Sequence, residues 1–283
     1  MQYENLISKL LDLGIEEDIS TGDITTGSII PETMNATATM TAKQDGVISG
    51  IEIVRMVYER FQKDAVLTPY FKDGDRVSKG DVILKIEASY PTLLCGERLS
   101  LNIFQRMCGI ATETAGYVKA LEGTGTQLLD TRKTAPGMRV LDKMAVSHGG
   151  GTNHRMGLYD MAMIKDNHIK MAGGITKAVE QVRSRIADGI KIEVETTDIA
   201  EVKEAVAAGA DIIMLDNMDN ASMKEAVGII RAADKGIKTE ASGNMSIPRL
   251  AEVAATGVDY ISVGALTHTV KATDISMNIR VEE

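Results

Sequence analysis

The sequence predicts an α/β protein in which an N-terminal α+β sandwich domain precedes a closed or nearly closed β/α barrel. From Gln127 onward, six short apolar runs alternate with helix-like stretches whose apolar residues recur at three- and four-residue spacing. Strand–helix repeats of this kind predict a parallel sheet, and six in succession favour a barrel. Earlier in the chain, two stretches alternate like half-buried strands around Asp-Gly and Lys-Gly turns.

The N-terminal domain is expected to span residues 1–110, including a linking helix at its end. An opening helix is followed by ATATMTAKQDGVISG and FKDGDRVSKGDVILKIEAS, which supply the alternating strands. The second stretch resembles the hairpins of lipoyl and biotinyl domains, which carry a modified lysine soon after this pattern. Here ASYP follows and brings no lysine. A structural β-rich domain is therefore favoured over a swinging arm.

The linking helix is predicted from the amphipathic stretch PTLLCGERLSLNIFQRMCGIATETAGYVKALE, in which Arg98 and Arg106 fall near one face. It also holds both cysteines, Cys95 and Cys108, at a spacing that suggests neither a metal site nor a disulfide framework. The N-terminus has no basic lead-in, and no apolar run approaches the roughly 20 residues that cross a bilayer. We therefore expect a reduced, cytoplasmic protein without a membrane partner.

The barrel domain is expected to span residues 111–270, and the tail, residues 271–283, to pack back on the N-terminal domain. Its strands are predicted at QLLD, MAMIKD, IKIEVE, DIIMLDN, KTEAS and DYISVG. In a β/α barrel the strand ends meet at the C-terminal face, where active sites are built. A doubly wound open sheet would also gather them at one edge, but no G-x-G-x-x-G fingerprint follows a strand. Residues with chemistry end the runs: Asp130 to Lys133, Lys165, Glu195, Asp216, Ser242 with Gly243, and Gly264.

Cations cluster between Asp130 and His168, although the chain has a formal net charge of -9. Proline and glycine residues interrupt this stretch, so its six Lys or Arg residues cannot form one helical stripe. A local cationic cluster in an acidic chain indicates a pocket for a small, highly charged anion rather than a nucleic-acid surface. Arg132 suits a carboxylate or phosphate through two parallel hydrogen bonds, and Lys133 supplies a compact charge.

An ordered set of motifs covers the whole chain: GDITT, GERLSLN, CGIAT, DTRKTAPGMR, GGGTNHRMGL and IKDNH, then IEVE, MLDN, EASGN and VGALTH. Together these motifs resemble the quinolinate phosphoribosyltransferase family, nicotinate-nucleotide pyrophosphorylase (carboxylating). Several long motifs in the right order are far more specific than a single pattern. Two departures, Met144 in place of an aromatic residue and Cys108 in place of a frequent serine, bring no charge into the site.

The resemblance implies transfer of a phosphoribosyl group from phosphoribosyl pyrophosphate (PRPP) to quinolinate with decarboxylation. The products are nicotinate mononucleotide, pyrophosphate and carbon dioxide, in de novo NAD biosynthesis. Quinolinate carries two adjacent carboxylates, so its site needs several fixed cations. The candidates are Arg132, His154, Arg155 and Lys165. The resemblance also implies a homodimer in which Arg98 reaches the partner's site.

PRPP is expected on the same face of the barrel. Lys133 suits the leaving pyrophosphate, while Glu195 and Asp216 suit the ribose hydroxyls and Mg²⁺ held largely through water. With Lys165, these three are the expected catalytic residues. No organic cofactor is expected, because the alkylated ring nitrogen can stabilise the carbanion left by decarboxylation. Backbone N–H groups of late barrel loops suit the 5′-phosphate, and the candidates are Ser242, Gly243, Asn244, Gly264, Ala265 and His268.

Three alternatives change the function but keep the barrel. A paralogous phosphoribosyltransferase for another ring acid, or the related protein associated with molybdate transport, is disfavoured by the intact IKDNH after GGGTNHR. A Schiff-base aldolase could use Lys165, since a lysine at a barrel strand end also serves that chemistry. A non-catalytic metabolite-binding or assembly protein is compatible with the fold, but it does not explain why the strand ends are polar.

Overall fold

The computed structural model describes residues 3–31 and 33–281 of the chain. The helices in chain order are α1 (Glu4–Asp18), α2 (Ile24–Ile29), α3 (Ile51–Phe61), α4 (Tyr90–Ala120), α5 (Arg139–His148), α6 (Asp166–Ala172), α7 (Ile175–Arg183), α8 (Ile199–Ala207), α9 (Asn220–Ala233), α10 (Ile247–Ala254) and α11 (Ala265–His268). The strands are β1 (Asn35–Ala42), β2 (Gly46–Val47), β3 (Val66–Pro69), β4 (Arg76–Val77), β5 (Val82–Ser89), β6 (Gln127–Leu129), β7 (Ala162–Ile164), β8 (Ile192–Thr196), β9 (Ile212–Asp216), β10 (Lys238–Ser242), β11 (Tyr260–Ser262) and β12 (Ile275–Val281).

The described residues form two compact units, and each unit draws on segments that are distant in the sequence. The first unit takes its described residues from 3–31, 33–115, 134–150 and 266–281. The second takes them from 116–133 and 151–265. Helix α5, which follows β6 along the chain, therefore belongs to the first unit.

A four-stranded antiparallel sheet with the strand order β12-β1-β5-β3 frames the first unit. Strand β1 lies inside this sheet, between β12 and β5. Every second residue of β1 is buried because one face of the sheet packs on the core. The alternation predicted for this part of the chain is confirmed, and its buried members are Ala36, Ala38, Met40 and Ala42.

The GDITT motif starts helix α2. Asp23 is the N-cap residue, and its carboxylate accepts hydrogen bonds from the backbone N–H groups of Thr25 and Thr26, at 3.0 Å each, and from the Thr26 hydroxyl. These bonds satisfy donors that the helix itself leaves without a partner. Within the first unit, the motif therefore has a local structural role.

The tail returns to the first unit along α4. A Cβ atom added to Gly109 would lie 2.2 Å from the Lys271 carbonyl oxygen, so this position on the helix requires a glycine. The Thr273 N–H then donates to the Gln105 carbonyl at 3.0 Å, just before the chain enters β12. The glycine of the CGIAT motif is thus explained by the close approach of the tail.

Helix α4 is also joined to α5 by an ion pair. Arg106 donates two hydrogen bonds of 2.9 Å to the carboxylate of Asp142, and a third of 3.2 Å to the Thr267 carbonyl. The Asp142 side chain is fully buried. Burial raises the pKa of Asp142, although the hydrogen bonds from Arg106 act in the opposite direction.

The second unit contains a six-stranded parallel sheet with the order β6-β11-β10-β9-β8-β7. From β7 to β11 each strand lies beside the next one along the chain, and β6 joins β11. A doubly wound sheet would instead reverse its order at a switch point, so the predicted barrel winding is confirmed. Within the described residues no hydrogen-bonded ladder joins β6 to β7, as expected for a nearly closed barrel.

Two helices of the second unit, α8 and α9, begin at aspartate side chains that cap them. Asp198 accepts a 2.9 Å hydrogen bond from the Glu201 N–H at the start of α8, and Asp219 accepts a 2.7 Å bond from the Ser222 N–H at the start of α9. Strand β9, which lies between these two helices along the chain, is buried except for its last residue, Asp216, which is half-buried. Across the described ranges, no helix combines the length and the apolar character that crossing a membrane requires.

Candidate active site

A cavity of about 650 Å³ opens at the carboxyl ends of the parallel strands in the second unit. Strand ends converge there because all strands of the sheet run in the same direction. The lining residues are mainly polar: Asp130, Thr131, Arg132, Lys133, His154, Arg155, Met163, Lys165, Glu195, Met214, Asp216, Asn217, Glu240, Ser242, Gly243, Asn244 and Ser262.

Two guanidinium groups lie on one side of this cavity. Arg132 follows β6, and Arg155 lies in the segment before β7, where its Nη1 donates to the Met161 carbonyl at 3.0 Å. Burial lowers the pKa of Arg155, and the positive charge of Arg132 lowers it further. The two cations therefore repel each other, and an anion with two carboxylates would relieve that repulsion.

The floor of the cavity holds a buried histidine between two carboxylates. His154 Nε2 lies 3.0 Å from Glu193 Oε2 and 3.3 Å from Glu240 Oε2. The backbone N–H of His154 donates to Asp130 Oδ1 at 2.9 Å, which fixes the loop that carries the ring. Burial opposes protonation of the ring, but the hydrogen bonds to Glu193 and Glu240 raise the pKa of His154 to about 10. Burial and the nearby Glu240 carboxylate raise the pKa of Glu193.

Acidic residues end two adjacent strands on another side of the cavity. Glu195 lies near the end of β8, and Asp216 ends the neighbouring β9. Lys165, at the end of β7, forms an ion pair with Glu195. Asp216 accepts a 2.7 Å hydrogen bond from the amide of Asn217. Cationic and anionic groups thus line one cavity.

The loops after β9 and β10 are packed against each other. The Asn217 N–H donates to the Ser242 carbonyl at 3.0 Å. Asn217, Gly243 and Asn244 all have positive φ angles, of 53°, 102° and 48°. Arg249 of α10 links the two loops, because its Nη1 donates to the Gly243 carbonyl at 3.0 Å and its Nη2 to the Met218 carbonyl at 3.4 Å. Left-handed backbone held by several contacts presents a preorganised rim.

The structure brings most of the predicted site residues to this cavity and leaves others elsewhere. Gly264 and Ala265 follow β11 and do not line the cavity among the described residues. His268 ends α11, and Arg98 is an exposed residue of α4; both belong to the first unit. Those at the cavity are Arg132, Lys133, His154, Arg155, Lys165, Glu195, Asp216, Ser242, Gly243 and Asn244.

Sequence reasoning gave no role to Glu193, Glu240 or Asn217, although the motifs IEVE, EASGN and MLDN contain them. One signal was available for the two glutamates. Both are charged residues inside buried strands, three positions before the end of β8 and two before the end of β10. A charge inside a buried strand requires a partner. Nothing in the linear sequence identified His154 as that partner.

Comparison with known families covers nearly the whole chain. Residues 23–108 match the N-terminal domain of quinolinate phosphoribosyl transferase, and residues 110–278 match its C-terminal domain. A curated relative from Bacillus subtilis (strain 168), a probable nicotinate-nucleotide pyrophosphorylase [carboxylating], is 42% identical over 273 residues, which are 96% of this chain and 93% of the relative. The quinolinate phosphoribosyltransferase [decarboxylating] 2a, mitochondrial, of Nicotiana tabacum is 42% identical over 292 residues, covering 96% of this chain and 82% of that protein.

Solved structures agree with this match. The crystal structure of NadC from Streptococcus pyogenes is similar with a TM-score of 0.92 and 38% sequence identity, covering 98% of this chain and 97% of that one. The nicotinate-nucleotide pyrophosphorylase from Francisella tularensis has the same TM-score and identity, covering 98% of this chain and 96% of that one.

Proposed function

The chain belongs to the quinolinate phosphoribosyltransferase family, and from this premise we propose that it transfers the phosphoribosyl group of PRPP to quinolinate with loss of carbon dioxide. The products are nicotinate mononucleotide, pyrophosphate and carbon dioxide, in de novo NAD biosynthesis. The enzyme is a pentosyltransferase, a nicotinate-nucleotide diphosphorylase (carboxylating). One observation carries the proposal: a single cavity at the strand ends is lined both by clustered cations and by the acids that end two adjacent strands.

Quinolinate is proposed to bind at the cationic side of the cavity. Arg132 and Arg155 meet its two carboxylates, and two adjacent guanidiniums suit a dianion better than a monoanion. His154 and Lys165 complete the set, with His154 on the floor and Lys165 at the end of β7. The Lys165–Glu195 ion pair supports a placement of quinolinate next to the acidic side, where the second substrate would bind.

PRPP is proposed to bind across the acidic side. Lys133 contacts the leaving pyrophosphate, and the carboxylates of Glu195 and Asp216 contact the ribose hydroxyls. Carboxylate oxygens on adjacent strand ends are the hard donors that Mg²⁺ prefers, so these two residues fit Mg²⁺ held largely through water. When bound, Mg²⁺ neutralises charge on the departing pyrophosphate.

The 5′-phosphate is proposed to bind at the preorganised rim. Backbone N–H groups of Ser242, Gly243 and Asn244 are the candidates, because the positive φ angles at 243 and 244 hold this loop in one shape. Gly264, Ala265 and His268 remain further candidates, because they follow the last parallel strand along the chain, where late barrel loops are expected to bind phosphate.

The chemistry follows from this arrangement without a protein nucleophile. The ring nitrogen displaces pyrophosphate at the anomeric carbon, and fixed charges stabilise the positive charge that develops on the ribose. The nitrogen becomes cationic when it is alkylated, and it adjoins the carbon that loses its carboxylate. That positive charge stabilises the carbanion, so the reaction requires no organic cofactor.

The direct test is formation of nicotinate mononucleotide from quinolinate and PRPP with Mg²⁺, run beside nicotinate as the competing acceptor. We expect strict preference for quinolinate, because an acceptor with only one carboxylate leaves one half-buried guanidinium without the substrate charge that it would pair with. Equal turnover of the two acids would contradict the assignment of both arginines. Borohydride trapping with a keto substrate tests the aldolase alternative, and no adduct at Lys165 is expected.

The proposal includes a homodimer in which Arg98 serves the partner's site, and a cytoplasmic location. The exposure of Arg98 on α4 supports the first point, and two free cysteines support the second. The test combines Arg98→Ala subunits with Arg132→Ala subunits. A shared site predicts that mixed dimers regain activity that neither parent has. Absence of recovery after demonstrated subunit exchange would mean that Arg98 serves its own chain or no site.

A further inference from the structure

The carboxylates of Glu193 and Glu240 are buried in the interior of the second unit. Their relative exposures are 0% and 1%, and they lie on β8 and β10, with β9 between them. Glu193 Oε1 and Glu240 Oε1 have no hydrogen-bond partner among the described residues, and Glu240 Oε2 lies 3.3 Å from His154 Nε2. Two buried acids in this state are costly unless a cationic group stands beside them. Neither acid has a part in the transfer chemistry proposed above.

The group that stands beside both acids is the ring of His154. Its Nε2 lies 3.0 Å from Glu193 and 3.3 Å from Glu240, and its side chain is 7% exposed. His154 and Glu240 line the substrate cavity, whereas Glu193 lies behind them. When one ring nitrogen is held by carboxylates, the orientation of the imidazole ring is determined from that side.

We propose that Glu193 and Glu240 are positioning residues, which hold the His154 ring in one orientation on the cavity floor and so set its contribution to binding of the dicarboxylate. This inference rests on the proposed function for the identity of the dicarboxylate. The two glutamates act through His154 and do not touch the substrate themselves in this role. Substitution of either glutamate is therefore expected to weaken quinolinate binding. PRPP binding should change little, because PRPP is proposed to contact other residues.

Kinetics of Glu240→Gln and Glu193→Gln give the first test, since glutamine keeps the size of the side chain. We expect the KM for quinolinate to rise about 10- to 100-fold, the range found when the partner of a metal-ligating histidine is removed, with kcat and the KM for PRPP nearly unchanged. Glu204→Gln is the matched control, because Glu204 also accepts hydrogen bonds, from Thr176 at 2.9 and 3.1 Å, but on exposed helices. A rise in both KM values, or none, would overturn the proposal.

A double-mutant comparison separates positioning from a general structural effect. In a His154→Gln background, Glu240→Gln should add little to the KM for quinolinate, because the group through which it acts is already gone. Multiplicative effects of the two substitutions would overturn the proposal. Thermal melting of each variant shows whether it is folded, and either glutamate variant suffices if the other does not fold.

Nitrogen NMR of the imidazole rings tests the proposal without any substrate. The chain has four histidines, so the His154 signals can be assigned by substitution. We expect the Glu193→Gln and Glu240→Gln variants to shift both ring nitrogens of His154, and unchanged signals would overturn the inference. If the wild-type protein makes no nicotinate mononucleotide, the proposed function fails, but the NMR result still decides the positioning role.

A metal ion is the competing explanation for this trio, since one donor atom of each residue lies within 4.8 Å of the others. Elemental analysis of the purified protein distinguishes the positioning role from a metal site. The positioning role predicts no stoichiometric zinc or manganese. If the wild-type protein carries one full equivalent of metal and the Glu240→Gln variant carries none, the positioning role is wrong, because His154 Nε2 is then a metal ligand.

Discussion

Substitution of Gly243 by alanine tests how tightly the loops after β9 and β10 depend on each other. Gly243 has a φ angle of 102°, and an added Cβ would lie 2.2 Å from Asn217 Oδ1 and 3.2 Å from Asn217 Cα. The same Asn217 side chain donates to Asp216 at 2.7 Å. The added methyl group must therefore displace the amide that orients a proposed catalytic carboxylate.

The expected loss of stability in Gly243→Ala is the sum of two contributions. Left-handed backbone costs an alanine about 1–2 kcal/mol, and loss of the Asn217–Asp216 hydrogen bond costs about 0.5–1.5 kcal/mol. Together they predict a loss of about 1.5 to 3.5 kcal/mol in the free energy of unfolding, which corresponds to a fall in Tm of roughly 3 to 14 °C. Because Asp216 is expected to contact PRPP, the KM for PRPP should rise more than the KM for quinolinate.

Gly209→Ala is the matched control for this prediction. Gly209 precedes β9 at the opposite end of the strand, has a φ angle of 76°, and a Cβ added there would meet nothing within 4 Å. The Gly209→Ala variant should lose only the stability that a left-handed backbone costs an alanine, and its kinetic constants should be unchanged. Differential scanning calorimetry and steady-state assays of both variants measure the difference. Equal falls in Tm together with equal KM values for PRPP would refute the reasoning.

Three further predictions concern an ion pair, a pH dependence and the metal. Asp142→Ala leaves Arg106 without its buried partner and should cost about 3 kcal/mol of unfolding free energy, measured by urea denaturation; a loss near zero would contradict it. Burial opposes ionisation of Asp259, but the hydrogen bond from Arg231 lowers the pKa of its carboxyl group. The ionised carboxylate therefore stabilises the folded protein above about pH 4, and this stabilisation is lost as the pH falls through the folded-state pKa. The stability gap between wild type and Asp259→Asn should therefore narrow in acid, and a gap that widens would show the opposite sign. Asp216→Ala should weaken Mg²⁺-PRPP binding more than quinolinate binding in calorimetric titrations, and selective loss of quinolinate binding would remove Asp216 from the metal site.

Much of the fold could be read from local patterns. The six predicted runs of the barrel became β6 to β11, because strands of a parallel sheet are covered on both faces and are therefore rich in apolar residues. Parallel strands place their carboxyl ends at one edge, so the sequence already predicted that Lys165, Glu195 and Asp216 would meet. The order of the motifs was sufficient to recognise the family, because several long motifs in the right order specify many positions together.

The trio of His154, Glu193 and Glu240 was decided only by the tertiary structure. These residues are separated by 39 positions and more along the chain, and nothing in the sequence states which strand lies beside which. The parallel order of β8, β9 and β10 brings the two carboxylates to one side of the sheet, and the loop held by Asp130 brings the ring between them. The sequence by itself determined which residues end the strands and carry charge. The strand order and register determined which of those charges meet, because an interaction between distant residues depends on distances that only packing sets.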